Sequence, residues 1–391
     1  MLRAALVLAL CACHHTGSVA IDAPAIDAGL DAGDAAAGRA CPTGSTLVVD
    51  RTSCPGAVVA PPAALLSISA QPGDVVSMSG LDEGDLPCVP ALVCAPAGAA
   101  TLLFSDDPES PSSDGVLYAD TFGPGRARLY VYHVNGGSAP RKFPVVVLNQ
   151  NASDAHVTIA RAARGGPSSD YVDVGKAVAA AWMASTGQTV VTVPAGTRVV
   201  LDAELDGEHA ATGELVHAIF DIDADAPVKL SIVSVLAGED AAAITASLPL
   251  LPADGLHDRG TFPGADVWLA GAAGGEGASA RHLRLGAGVT EPVLAGTDAT
   301  TGAPAMLHGN YGVAYRLLVA AQAQLGVAAS PRGGSWAGAL GPTPLPSGTG
   351  GLASTSDAIW LATVPAGAGE LALMSGGGSS LPVDVLVIAA Q

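Results

Sequence analysis

The chain has 391 residues, 36 acidic side chains against 17 lysines and arginines, and a formal net charge of −19. A field of that sign excludes recognition of nucleic acid or of an anionic membrane surface by the protein as a whole. The mean hydropathy of +0.41 comes mostly from alanine and valine, and no stretch approaches 18 uninterrupted apolar residues, so no membrane-spanning helix is expected.

The first elements in chain order are an address and a spacer. Arg3 precedes an apolar run from Ala4 to Leu10, short for a signal-peptide core and far too short to cross a bilayer. Leu10-Cys11-Ala12-Cys13 resembles the lipobox of bacterial lipoproteins, with leucine at −3, a small residue at −1 and then cysteine. The resemblance implies a signal peptide over 1–12, cleavage before Cys13 and acylation of Cys13. Two or more acyl chains anchor a protein stably where one does not. His14 follows that cysteine where inner-membrane retention would call for aspartate, which by resemblance to Gram-negative sorting implies the outer membrane. His14 and His15, adjacent on a tail, make an incomplete metal shell. From Val19 to Ala40 the acids Asp22, Asp27, Asp31 and Asp34 punctuate Ala, Gly and Pro. Such a stretch cannot bury enough surface to offset its ordering entropy, so 13–40 is expected to be a disordered tether reaching about 30 Å.

A small β segment is expected over 41–100, carrying Cys41, Cys54, Cys88 and Cys94. An even number of cysteines in an exported chain reads as disulfides. Three pairings exist. Cys41–Cys54 and Cys88–Cys94 close the shortest loops and are preferred. The spacings C-x12-C and C-x5-C match no zinc knuckle, and no metal or cofactor is expected.

Beyond residue 100 strand-like alternation and turn dipeptides dominate. Arg126 to Gly137, "RARLYVYHVNGG", alternates into a turn; its Arg126, Arg128, Tyr130 and Tyr132 share one face, expected to be a solvent-facing ladder rather than a sugar or strand platform. "KFPVVVLNQNASDAHVTIARA", "QTVVTVPAGTRVVLDAEL" and "LVHAIFDIDADAPVKLSIVSVL" each read as strand, turn, strand. One short helix is expected near Gly175 to Ser185. Three landmarks then recur in order: "ARGGPSS" and "PRGGSWAG", "TVPAG" at Thr192 and at Thr363, and a Pro-Val strand from Ala226 and from Leu381. The recurrence predicts an all-β protein with two related antiparallel β-sandwich domains in tandem, 101–242 and 243–391, the second having lost a hairpin.

The words "LLFSDDPES", "DGVLYADT", "GPSSDYVDVGK", "LPADGLHDRGTF", "HGNYGVAYRL" and "PRGGSWAG" make the chain from about Leu102 onward resemble a group of secreted bacterial proteins often labelled "copper amine oxidase". That label belongs to a separate domain beside this region, which is not evident here. The chemistry argues the same way. Asn310-Tyr311 is followed by Gly312 rather than the acid of a quinone-forming motif, and no His-x-His pair occurs.

Other motifs are weak. Ser335 in "GGSWA" lacks the closing glycine and the strand–helix setting of a nucleophile elbow. Asp221 to Asp225 lacks the glycine and glutamate of a calcium loop and reads as a strand entering a turn. "GELVH" from Gly213 to His217 lacks the second histidine of a zinc protease. The candidate ligand-binding residues are His257, Asp258, Arg259, His308, Asn310, Tyr311, Arg332 and Trp336, polar donors beside aromatic faces in three turn-rich stretches. The alternative for them is that they lock loops and cap the core. No catalytic residue is assigned. The expected function is a non-catalytic cell-envelope lipoprotein with a structural or binding role, held to the membrane through its lipid, with an envelope protein or glycan as partner. The alternative is a glycan- or peptide-active hydrolase using the second-domain cluster.

Overall fold

The computed structural model describes residues 40–51, 53, 69–79, 81, 86–273, 279–321 and 323–389. The signal peptide, Cys13, nearly all of the tether, and Cys54 lie outside the described residues. In chain order the strands are β1 (Ser45–Arg51), β2 (Val75–Ser77) and β3 (Ala91–Pro96), then β4 (Thr101–Ser105), β5 (Gly115–Phe122), β6 (Gly125–Val134), β7 (Arg141–Lys142), β8 (Val145–Leu148), β9 (Ala155–Ser168), β10 (Thr189–Val193), β11 (Arg198–Val200), β12 (Leu215–Ala224) and β13 (Val228–Leu236). They continue as β14 (Arg259–Phe262), β15 (Asp266–Ala273), β16 (Ser279–Leu285), β17 (Ala295–Asp298), β18 (Ala303–Met306), β19 (Ala314–Ala321), β20 (Leu325–Pro331), β21 (Gly338–Leu340), β22 (Thr343–Leu345), β23 (Asp357–Val364), β24 (Gly367–Ser375) and β25 (Val383–Ala389). The helices are α1 (Tyr171–Ala184), which starts four residues before the expected Gly175, and the short α2 (Ala203–Asp206) and α3 (Ala241–Ile244).

Four sheets form two face-to-face pairs, as an all-β chain with one apolar face per strand requires. The first pair is β10-β9-β12-β6-β4-β14-β17-β18 over β11-β8-β13-β5, with β7 beside β13. Leu103, Leu129, Val131, Ala218 and Phe220 meet Leu117, Val145, Val147, Leu230 and Ile232 between them. The second is β1-β3-β15-β19-β24-β21-β22 over β16-β25-β20-β23-β2. Leu269, Leu317 and Leu373 meet Leu283, Val327, Ile359 and Val385 there.

The two pairs repeat one topology. β5-β13-β8-β11 corresponds to β16-β25-β20-β23, and β4-β6-β12 to β15-β19-β24. The sheets are mixed rather than purely antiparallel, because β4 runs parallel to β6 and β15 runs parallel to β19. Of the sequence landmarks, the Pro-Val strands fall on the corresponding β13 and β25. "TVPAG" does not correspond: it turns from β10 to β11 in one half and from β23 to β24 in the other. It is a turn word used at two different corners.

The expected division at residue 242 is crossed by a reciprocal exchange. β3 precedes β4 in the chain yet pairs with β15, while β14 precedes β15 yet pairs with β4. Each half therefore carries a strand from beyond its expected boundary. The exchange also overturns the solvent-facing reading of β6 for Arg128, Tyr130 and Tyr132, while Arg126 is exposed. Tyr130 and Tyr132 are 2% and 4% exposed, and Arg128 is 1% exposed. Leu102, Phe104, Tyr130 and Tyr132, on the outer face of the first large sheet, join the core of the second pair instead of meeting water. α1 closes the same junction with Val174, Val178 and Trp182.

The expected cysteine pairing is also corrected. Cys41 is bonded to Cys94, 53 positions away, and Cys88 is itself disulfide-bonded. Cys94 lies on β3, which pairs antiparallel with β1. Once that ladder has closed the loop, proximity in sequence no longer favours the short rings.

Candidate functional site

At the junction of the two halves lies a cavity of about 200 Å³, lined by Asp106, Glu109, Tyr130, Tyr132, His257, Tyr311, Gly377, Gly378 and Ser379. Asp106 and Glu109 come from the loop between β4 and β5, and the tyrosine pair from the outward face of β6. The turn between β24 and β25 supplies the glycines. A Cβ on Gly377 would stand 2.7 Å from the Tyr132 ring and 2.8 Å from the Tyr130 hydroxyl, so only glycine lets that backbone close the wall.

The chemistry of the cavity centres on Asp106. Its Oδ1 is enclosed and has no hydrogen-bond partner among the described residues. Burial, followed by the charges of Glu109, Asp254, Asp258 and Asp107, pushes its pKa well above the ordinary carboxylate value. Beside it Tyr130 stacks on Phe104 at 4.7 Å and tilts against His217 at 4.6 Å. Burial raises the pKa of Tyr130 and Tyr132, and pushes that of Tyr311 up to about 12, so all three stay phenols. The Tyr311 hydroxyl donates to the Ser379 carbonyl at 2.6 Å.

His257 forms one rim. Its Nδ1 lies 2.7 Å from Asp254 Oδ2, and its Nε2 lies 2.7 Å from Glu109 Oε2. Partial burial opposes the imidazolium, but Asp254 and Glu109 outweigh it and raise the His257 pKa. Asp254 is held well below the ordinary value: burial opposes this, but His257 and the N–H groups of Leu256, Glu109 and His257 prevail.

Of the eight residues singled out in the sequence, the structure brings His257 and Tyr311 into this cavity and spreads the rest over structural roles. Asp258 accepts the backbone N–H of His308 at 2.6 Å and faces its Nδ1 at 3.0 Å, while the His308 side chain is 80% exposed. Arg259 is buried, pairs with Asp298 at 3.1 Å and donates to the carbonyls of Asp107, Leu117 and Leu251. Asn310, at φ 52°, ties Glu291 and Pro292 through Nδ2 and receives the Leu294 N–H through Oδ1. Arg332 and Arg284 share the fully buried Asp384, each at 2.8 Å. Trp336 is fully buried and donates to the Ser375 hydroxyl at 3.1 Å.

Sequence reasoning passed over Asp106 and Glu109, although both lie in "LLFSDDPES". Two consecutive acids directly after a buried strand were the available signal. Among the described residues no group of three or more His, Cys, Asp or Glu side chains is arranged to hold a metal ion.

No family model and no curated protein matches the chain. Among solved structures, a variant of salicylate 1,2-dioxygenase from Pseudoaminobacter salicylatoxidans aligns at 11% identity over 67% of this chain and 69% of that one, with a TM-score of 0.10. Oxalate decarboxylase from Bacillus subtilis aligns at 11% identity over 75% and 76%, with a TM-score of 0.09. Superpositions that shallow carry no conclusion about fold or activity.

Proposed function

We propose that the chain is a non-catalytic envelope lipoprotein, acylated at Cys13, whose body binds a compact cationic group in the cavity between its halves. One observation carries this reading: the enclosed, unpartnered Oδ1 of Asp106, set among tyrosine rings with Glu109 beside it. A positive charge entering there meets carboxylates and ring faces together, and drives Asp106 to ionise in its favour. The remaining candidates support binding over turnover, because Arg259, Asn310, Arg332 and Trp336 are engaged in fixed structural bonds.

The test is calorimetric titration of the mature protein with tetramethylammonium and with ethylamine. Saturable binding that falls at least tenfold in Asp106→Asn and in Tyr132→Leu is expected; no saturable binding overturns the reading. Mass spectrometry of the envelope-derived protein is expected to find an acylated terminus that Cys13→Ser abolishes.

The alternative, a glycan-active hydrolase, draws support from the same Asp106. A carboxyl whose pKa burial raises is the kind of group that serves as a general acid, and Glu109 is a second carboxyl on the cavity wall. Turnover of aryl glycosides that disappears in Asp106→Asn would favour it over binding.

A further inference from the structure

We propose that a second, independent site on the outer face of the sheet β11-β8-β13-β5 binds a small organic carboxylate with an apolar body. The cavity there measures about 190 Å³ and is lined by Val146, Leu148, Arg198, Lys229, Ser231 and Leu248 together with further apolar and hydroxyl side chains. No acidic side chain is among them.

The sheet register places its two cations. Lys229 on β13 faces Leu148 on β8, and Leu148 faces Arg198 on β11. The three stand in one row, so the cations flank Leu148 at two strand spacings, roughly 10 Å apart. In the next row Ser231 faces Val146, and Val146 faces Val200. The floor between the charges is thus apolar, with the Ser231 hydroxyl at its side. The segment after α3 supplies the wall through Thr245, Ala246 and Leu248.

Acids outnumber lysines and arginines by 36 to 17. Arg128, Arg141, Lys142, Arg164, Lys176, Arg259, Arg284, Arg316 and Arg332 have carboxylate partners, while Arg126 and Arg281 donate to backbone carbonyls and Arg161 lies over the Trp182 ring. Arg198 and Lys229 have no ion pair among the described residues, and they face the same cavity. Two uncompensated cations over an apolar floor complement a carboxylate whose ring or short chain lies on Leu148, Val146 and Leu248. A volume below that of drug-sized pockets limits the body to about one ring. The opposite charge of this site separates it from the Asp106 cavity.

Titration of the full mature chain with benzoate, hexanoate and the neutral benzamide, followed by NMR and calorimetry, tests the assignment. Benzoate and hexanoate are expected to bind saturably, benzamide at least tenfold more weakly. Arg198→Gln and Lys229→Gln are each expected to weaken benzoate at least tenfold, and Asp106→Asn is expected to leave it unchanged. Both cations lie on the sheet's outer face, and a thermal melt checks that the variants remain folded. If they do not, the benzoate–benzamide comparison on the unaltered chain still decides. Absence of saturable benzoate binding, equal uptake of benzamide, or retained affinity in a folded double variant would overturn the proposal.

Discussion

The Arg128 guanidinium and the Asp266 carboxylate meet at 2.8 Å, joining β6 of one half to the first residue of β15 in the other. The same guanidinium pairs with Asp221 at 2.9 Å, donates to the Ala265 and Gly312 carbonyls, and lies 4.2 Å over the Trp182 ring of α1. One buried cation therefore fixes two sheet pairs and a helix. Arg128→Met would leave the buried Asp221 and the half-buried Asp266 without it. A loss of about 3–5 kcal/mol is expected in urea unfolding. Adding Asp221→Asn and Asp266→Asn is expected to restore much of it, because the penalty is the uncompensated charge rather than the missing contact.

Mild acid is expected to destabilise the protein through two buried histidines. His133 accepts from Ser105 and donates to the Pro108 carbonyl, and His217 donates to the Val131 carbonyl, its other nitrogen having no partner among the described residues. Burial lowers their pKa values to about 3 and about 4. The unfolded imidazoles take up protons near pH 6.5, where the folded ones do not, so the unfolded state binds more protons as pH falls below that value. Stability should therefore drop by about 1.4 kcal/mol per pH unit for each histidine between about 6.5 and 4. His217→Phe should remove its share, seen as a shallower slope of unfolding free energy between pH 7 and 5. An unchanged slope would contradict the neutral buried assignment.

How much was legible beforehand depends on the range of the interaction. Alternation of Val, Leu and Ile disclosed the strands, and "APVKLSIV" and "LPVDVLVI" disclosed a genuine correspondence, since β13 and β25 occupy the same place in each half. The environment of β6 was hidden. Its period of two was read correctly, but whether Tyr130 meets water depends on a second sheet packing from more than a hundred residues away. The disulfide misled for the same reason, because the ladder that sets Cys41 beside Cys94 pairs two strands, β1 and β3, that are far apart in sequence. At the cavity His257 and Tyr311 were visible as unusual side chains in turns, whereas Asp106 matters through what it lacks, a hydrogen-bond partner.

Gly175 offers a test of the junction that runs against helix propensity. It sits inside α1, where alanine would ordinarily stabilise by about 1 kcal/mol. A Cβ at that position would overlap the Gly377 carbonyl on the turn that also walls the Asp106 cavity. Gly175→Ala should therefore destabilise by about 1–3 kcal/mol through overpacking, and displace the 376–378 turn. Thermal unfolding checks the sign. Weaker ligand uptake at the Asp106 cavity, with the Arg198–Lys229 site unaffected, would trace the damage to that turn.

The Cys41–Cys94 bond ties the N-terminal strand to the body at the outer face of its sheet, beside Trp268 and Leu318. β1 is an edge strand that pairs with β3, and Leu47 and Val48 on it are about half exposed, so little apolar burial holds it. A crosslink spanning 53 positions stabilises by about 4 kcal/mol through the chain entropy of the unfolded state. Cys41→Ser should lower stability by about 2–4 kcal/mol and let β1 open ahead of the rest. Limited proteolysis should then cut the variant before Ala91 while the segment from β4 onward survives. Loss of the whole body at the same protease dose would show instead that β1 and the two sheet pairs unfold as one cooperative unit.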